Sequence, residues 1–381
     1  MKEVRIALIG YKLMGRVHSR AYQDVKMFFS SPILPIKSII CGRHEEAVKK
    51  AQKELEWGEY EKDWSKMIER EDVDIVDICT PVYLHRDIAI MAAKNGKHIL
   101  CEKPLAMDSN QTKEMLEAAQ KNEIKHMVMF NYRRVPAIRL AKQIIQEGRI
   151  GNIYHFRAHY LQDWLIDPDF PLTWRLRKDQ AGSGVSGDLG SHIIDLARYL
   201  VGEFKEVQGI NETFVKERDI VNDTGGRVGV KRGVDVDDAT LFISRFDNGA
   251  LGVFEVSRVA GGRKNYEYIE INGSKGSLIF NFERMNELRF FSREDPPHLQ
   301  GFRTILVTER IHPFMENWWR SDSGLVIGYE ETFAHSIYHF LQCIHKDKMP
   351  EPNFLDGLRC HQVLDAVAKS ILEKCCVRVE K

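Results

Sequence analysis

Val4-Arg-Ile-Ala-Leu-Ile9-Gly10-Tyr11-Lys12-Leu13-Met14-Gly15 decides the fold. Val4–Ile9 is a near-continuous apolar run ending on glycine, the pattern of a strand buried on both faces. The turn that follows keeps the first and last glycines of a dinucleotide fingerprint, Gly10 and Gly15, but carries Lys12 where the middle one belongs. That middle glycine lets backbone approach a diphosphate, whose charge the next helix N-terminus stabilises. Lys12 weakens the motif without abolishing it, since a lysine can fold outward or reach a phosphate. Gly10, Lys12, Leu13, Met14 and Gly15 are therefore candidate cofactor contacts.

The same apolar character recurs at Ile36–Cys41, Val73–Cys79, Lys97–Cys101 and His126–Phe130. Helical stretches separate these runs: Val17–Met27, Glu45–Leu55, His85–Asn95 and Ser109–Asn122, with Ser109 read as an N-cap and Gly96 as a C′ glycine. Strand alternating with helix predicts an α/β Rossmann domain with a parallel, doubly wound sheet over residues 1–133. An acid that would hold adenosine ribose hydroxyls is expected at the end of the second strand, but Gly42 and Arg43 stand there. On residue chemistry alone this leans toward NADP, because nothing obvious repels a 2′-phosphate and Arg43 can pair with it.

Glu102-Lys103-Pro104 leaves the fourth of these strands. Strand C-termini in such sheets face the ligand, so Lys103, held between a carboxylate and a proline, is aimed toward substrate. The second half supplies a polar stripe. Asp188, His192 and Asp195 fall at i, i+4 and i+7 of a predicted helix with Asp188 at or near its N-cap, beside an apolar stripe of Leu189, Ile193, Leu196, Ala197 and Leu200. A histidine flanked by two carboxylates can accept a substrate proton near neutral pH. A metal on that stripe is not expected, because no partner His or Cys motif accompanies it.

The rest of the chain, 134–381, reads as an α+β domain with a large open, mainly antiparallel sheet. Ile153–Tyr160 alternates, and Ala239–Phe246, Ala250–Ser257, Tyr266–Asn272, Ser277–Phe282 and Glu287–Phe291 are joined by Asn-Gly or glycine-rich turns. Arg218–Gly233 reads as a mobile polar excursion, and helices Tyr329–His345 and Leu355–Lys374 close the chain, free to pack back on the first domain. Trp164, Trp174, Trp318 and Trp319 lie near Gln162, Asp163, Arg175, His312 and Asn317. Aromatic faces with hydrogen-bonding neighbours suit a sugar ring; with Tyr160 they are the candidate substrate contacts. A formal net charge of zero gives no reason to expect nucleic acid or a membrane surface. Seven cysteines without CxxC spacing, and no signal peptide, predict reduced thiols in a cytoplasmic protein.

Gly10–Gly15, Thr80-Pro81 with His85, Glu102-Lys103-Pro104, Asn131-Tyr-Arg133 and Asp188-x-Gly190-x-His192-x-x-Asp195 together resemble the Gfo/Idh/MocA family over nearly the whole length. The stretch Ala181–Asp195, Trp174-Arg175 and the region His312–Trp319 look most like its levoglucosan and pyranose dehydrogenase branch. The resemblance implies bound NAD, with NADP the alternative, and hydride transfer at a ring hydroxyl of a sugar, anhydrosugar or cyclitol. By position Lys103 matches the family's catalytic lysine, and Asp188 and His192 its substrate-side pair. Thr80, Pro81, His85, Glu102, Asn131 and Arg133 fall to the cofactor side. A homodimer or homotetramer is implied. Two rival readings are an NAD-assisted glycosidase and a non-catalytic dinucleotide sensor.

Overall fold

The computed structural model describes residues 2–221, 226–315 and 324–380. The chain opens with β1 (Lys2–Ile9), α1 (Leu13–Phe28), β2 (Ile33–Cys41), α2 (Glu45–Glu54), β3 (Glu59–Glu61), α3 (Trp64–Ile68), β4 (Ile75–Ile78), α4 (His85–Lys94), β5 (His98–Cys101), α5 (Ser109–Lys121) and β6 (His126–Val128). The strands pair in the order β3-β2-β1-β4-β5-β6, all parallel. Strand order runs outward both ways from β1 and β4, so their C-terminal ends form the switch point where such sheets bind nucleotides. The expected α/β half is present. Its β3 escapes the sequence because three residues carry no period. Asp108, not Ser109, caps α5, accepting from the Gln111 N–H at 2.8 Å.

The chain continues through α6 (Pro136–Gln146), β7 (Ile153–Leu161), α7 (Lys178–Ala181), α8 (Ser191–Leu200), β8 (Phe204–Glu212), β9 (Glu217–Val221), β10 (Arg227–Gly233), β11 (Ala239–Phe246), β12 (Leu251–Ser257), β13 (Tyr266–Gly273), β14 (Gly276–Asn281), β15 (Glu287–Ser292) and β16 (Arg303–Leu306). It ends with α9 (Tyr329–His345), α10 (Phe354–Glu373) and β17 (Val377–Arg378). Nine strands form one sheet in the order β16-β15-β14-β13-β7-β12-β11-β8-β17. Every pair is antiparallel except β7 with β12. The excursion expected at Arg218–Gly233 contains the antiparallel ribbon β9–β10, and its Arg218 is fully buried.

Two compact units result: Met1–Arg134 with Phe314–Leu358, and Val135–Pro313 with Arg359–Lys381. In the first, α9 contributes Phe333, Ile337, Phe340 and Leu341 to a core shared with Ile6, Leu8 and Tyr22. Burying each large apolar side chain stabilises by roughly 1.5–3 kcal/mol. In the second, Phe242 stacks on Phe254 at 4.4 Å within an aromatic layer that includes Phe156, Phe204 and Phe246. The expected apolar stripe of α8 is buried throughout. Its start differs in form: a π-helical turn, Ser186–Gly190, precedes it, and Asp188 lies in the first turn of that continuous helical path.

Candidate active site

The β1–α1 turn is shaped for close approach. Gly10 has φ +110°, and a Cβ there would sit 2.4 Å from the Cys79 carbonyl oxygen; one on Gly15 would sit 2.0 Å from that of Gly10. Lys12 and Leu13 are exposed, Met14 is half-buried, and no side chain caps the N-terminus of α1. Backbone N–H groups and a helix dipole without an acidic neighbour suit a diphosphate. Gly42 has a local reason to replace the expected acid: a Cβ at that position would meet the Tyr11 ring at 2.0 Å. Arg43 is exposed beside it. At the end of β4, Thr80 Oγ1 is buried and unmatched among the described residues, an orphan hydroxyl on the nucleotide side of the sheet. These residues fit a bound dinucleotide.

The Lys103 turn rests on a buried ionic network that sequence reading missed. His18, three residues past Gly15 and on the core face of α1 with Tyr22 and Val25, has zero exposure. Its Nδ1 lies 2.9 Å from Asp77 Oδ2 and its Nε2 lies 3.0 Å from Glu102 Oε1. Tyr22 donates to Asp77 at 2.9 Å, and the Lys103 backbone N–H donates to Glu102 Oε2 at 3.0 Å. Burial alone would lower the pKa of His18, but the Asp77 charge overcomes it and holds the pKa well above 6.5. An imidazolium that donates to both carboxylates follows. His18, Asp77 and Cys79 also bring three ligand-type atoms within 4.8 Å of one another, a closeness their hydrogen bonds account for. A histidine amid the apolar positions of a helix was the signal available in the sequence.

His85 supports the same turn from the other side. Its Nε2 faces the Thr80 carbonyl at 2.9 Å, and its Nδ1 faces those of Pro104 and Leu105, each at 3.2 Å. Burial lowers its pKa, so only one ring nitrogen carries a proton. Lys103 itself is half-buried, and the Lys103–Pro104 peptide is cis. Pro81 opens the single turn Val82–Leu84. Three residues expected on the cofactor side also make bonds within the protein. Glu102 is 5% exposed, with one oxygen on His18 and the other on the Lys103 N–H; Asn131 donates to Thr332 at 2.8 Å and Arg133 to Asp356 at 3.0 Å. Cys41, Cys79 and Cys101 are held as thiols by burial, Cys41 pushed up to about 12, which removes them as nucleophiles.

In the second unit His192 is 4% exposed and Asp195 1%, while the side chain of Asp188 retains 25% of its exposure. Tyr160 packs its ring edge-on against His192 at 5.8 Å. Its hydroxyl donates to Asn265 Oδ1 at 2.8 Å, Gln162 donates to the same oxygen at 2.7 Å, and Trp164 donates to Gln162 at 2.9 Å. Tyr160, Gln162 and Trp164 thus form one bonded wall, tied by an asparagine the sequence did not single out. Trp174 is half-buried with the Arg175 guanidinium 4.4 Å from its ring, Asp163 is paired with Lys264 at 2.7 Å, and His312 accepts from the Glu309 N–H at 3.0 Å. Asn317, Trp318 and Trp319 lie outside the described residues. Two further charged groups went unnoticed: Arg258, fully buried 3.9 Å from Asp188, and Glu267 on β13, fully buried and paired in register with Tyr160. Burial holds Glu267 well above the usual carboxylate range, and the Asp195 charge adds to it. The chemistry on offer in this unit is proton acceptance beside hydroxyl-binding acceptors; no metal cluster is needed for it.

Comparison with known proteins places the chain in a family. Residues 4–130 match the oxidoreductase family with an NAD-binding Rossmann fold, and residues 138–279 match the GFO/IDH/MocA C-terminal domain. Levoglucosan dehydrogenase of Pseudarthrobacter phenanthrenivorans is 42% identical, covering 100% of this chain and 99% of the relative. Myo-inositol 2-dehydrogenase of Thermotoga maritima is 26% identical, covering 99% of each. The structure of a levoglucosan dehydrogenase in complex with NADH and levoglucosan superposes with a TM-score of 0.95 at 42% identity, covering 100% of both chains. The chain belongs to the Gfo/Idh/MocA family of NAD-binding oxidoreductases.

Proposed function

We propose that this NAD-dependent sugar or cyclitol dehydrogenase oxidises a ring hydroxyl of levoglucosan or a closely related pyranose. The observation that carries this reading is full-length similarity to levoglucosan dehydrogenase joined to an intact set of polar groups, Lys103, Asp188 and His192. Removing hydride from a carbinol carbon requires the hydroxyl proton to leave as the carbonyl forms. His192 accepts that proton as general base. Lys103, as an ammonium, donates to the same oxygen and stabilises its developing negative charge. Asp188 accepts from a neighbouring hydroxyl, and the wall of Tyr160, Gln162 and Trp164 receives the ring. The cofactor, when bound, supplies the hydride acceptor. Gly10–Gly15, Thr80 and Pro81 hold it, with Glu102 acting from beneath Lys103 through its backbone.

Mixing the protein with NAD and levoglucosan and following the reduced-nicotinamide absorbance tests the reading. Sustained growth of that band is expected. Glycoside cleavage without net NADH would place the chain with the NAD-assisted glycosidases, and binding without turnover would make it a sensor. NADP offered in parallel decides the cofactor's phosphate state, for which NAD is expected.

The protein works as a homodimer or homotetramer. One face of the nine-stranded sheet exposes Ile210, Leu241, Ile243, Leu251 and Val253, which the strand registers place side by side. An apolar patch of that kind suits a second copy of the chain. Sedimentation should return two or four times the mass of one chain, and Ile243→Lys should lower it. Among the described residues no helix is long and apolar enough to cross a membrane. All seven cysteines are free, which supports assignment to the cytoplasm.

A further inference from the structure

Arg258 leaves the end of β12, its backbone N–H bonded to the Asp238 carbonyl at 3.0 Å, and its side chain has no exposure at all. Of its guanidinium, Nη2 donates to the Asp237 carbonyl at 3.0 Å, whereas Nε and Nη1 have no hydrogen-bond partner among the described residues. Such a group is costly to bury unless something completes it. Its neighbours are committed elsewhere. Asp237 accepts from the Gly184 and Ser186 N–H groups and from Thr240 Oγ1, each at 2.8 Å, and also from Ser186 Oγ. Asp238 Oδ2 accepts from the Phe214 and Val215 N–H groups, and its Oδ1 is buried and unmatched among the described residues. The carboxylate that Nη1 does face is Asp188, at 3.9 Å, too long for a hydrogen bond. Trp164, from the substrate wall, lies with its ring 5.6 Å from the guanidinium carbon.

We propose that Arg258 is a positioning residue that acts through Asp188, fixing it as a hydroxyl acceptor and leaving His192 as the sole proton acceptor. The proposal rests on the assignment of Asp188 to the substrate side. The geometry divides the two groups cleanly. Asp188 keeps a partly exposed carboxylate that can meet a sugar hydroxyl, and Arg258 stands behind it with two donors to spare. A shift of about 1 Å brings Oδ2 to charge-assisted hydrogen-bond distance from Nη1. Catalytic hydrogen bonds that are long without substrate commonly tighten when it binds. Burial pushes the guanidinium's pKa down, and Asp188 is the largest influence acting the other way, so the two charges sustain each other. A carboxylate matched in this manner accepts hydrogen bonds and does not compete with His192 for the reacting proton.

Levoglucosan kinetics on Arg258→Met, Asp188→Asn and the double variant test this, with NADH affinity and the melting curve recorded for each. Arg258→Met should raise KM for levoglucosan about tenfold or more while kcat falls by less than about threefold, the pattern of lost uniform binding. NADH affinity should be unchanged. On the Asp188→Asn background the same substitution should change KM by less than about twofold, because its target is gone. Equal KM penalties on both backgrounds would overturn the proposal, as would a folded Arg258→Met with the KM of the parent. If Arg258→Met does not fold, Arg258→Lys, which keeps charge without the fork, is read through the same cycle with the same criteria. An Asp188→Asn variant of unchanged KM would overturn both this proposal and the substrate-side reading; a raised KM there with none in Arg258→Met overturns this proposal alone.

Discussion

The Lys103 turn and the Asp188 helix path handle buried charge in opposite ways. Beneath Lys103, His18 places one nitrogen on each of two carboxylates, Tyr22 adds a bond to the first, and the Lys103 N–H completes the second. In the second unit, among the described residues, Arg258 leaves two donors unmatched, Asp238 one acceptor and Glu267 both oxygens. A matched network fixes geometry before any ligand arrives. An unmatched one lowers stability and is tolerated where a ligand or a movement completes it. The lysine turn is therefore a rigid floor, and the second unit's polar cluster is the adjustable part.

The sharpest way to break that comparison is at the two reacting groups. Lys103→Met should lower kcat by about 10²–10³-fold or more with NADH affinity little changed; turnover within a few-fold of the parent would remove lysine from the chemistry. His192→Ala should cost about 10²–10⁴-fold and flatten the rise of oxidation rate with pH, and an unaltered profile would exclude it as base. His18→Gln probes the floor. Its folded pKa lies above the unfolded value of 6.5, so the stability it supplies is fully present below pH 6.5 and is lost as pH rises through the raised value. Denaturant melts should show the variant weaker by about 3–5 kcal/mol near pH 6, with the gap narrowing toward alkaline pH. Glu267→Gln is the smallest and opposite effect. The folded carboxyl stays protonated while the unfolded one ionises above 4.5, so the group costs stability increasingly as pH rises from 4.5. The variant should gain on the order of 1 kcal/mol at pH 7–8 and nothing at pH 4. A loss at pH 7 would show Glu267 to be matched, not strained.

The parallel half was the more legible of the two units. Strands such as β4, buried at every position, print themselves as apolar runs, and the glycine-bounded turn after β1 names its ligand class. Lys103 and His192 stand out in the sequence because each is a reactive group set beside charge in a short motif. The bonds of Glu102, Asn131 and Arg133 within the protein were not readable, since their partners lie at His18, Thr332 and Asp356, far away in sequence. Asp188 was read at or near a helix N-cap, and the π-helical form of the turn that holds it has no signature of its own. Arg258 follows an ordinary strand in an ordinary Ser-Arg-Val context, and only burial distinguishes it.

Tyr11 lying across Gly42 constrains how a ribose-binding acid could enter this site. A ribose-binding acid introduced at position 42 would have to displace an aromatic ring, so the single-step variant pays a steric penalty before it gains a hydrogen bond. Shrinking Tyr11 first opens the route, and the order of substitutions decides whether the intermediate survives. Access to that acid is thus written as a pair of positions, and substitution at 42 alone meets a steric barrier.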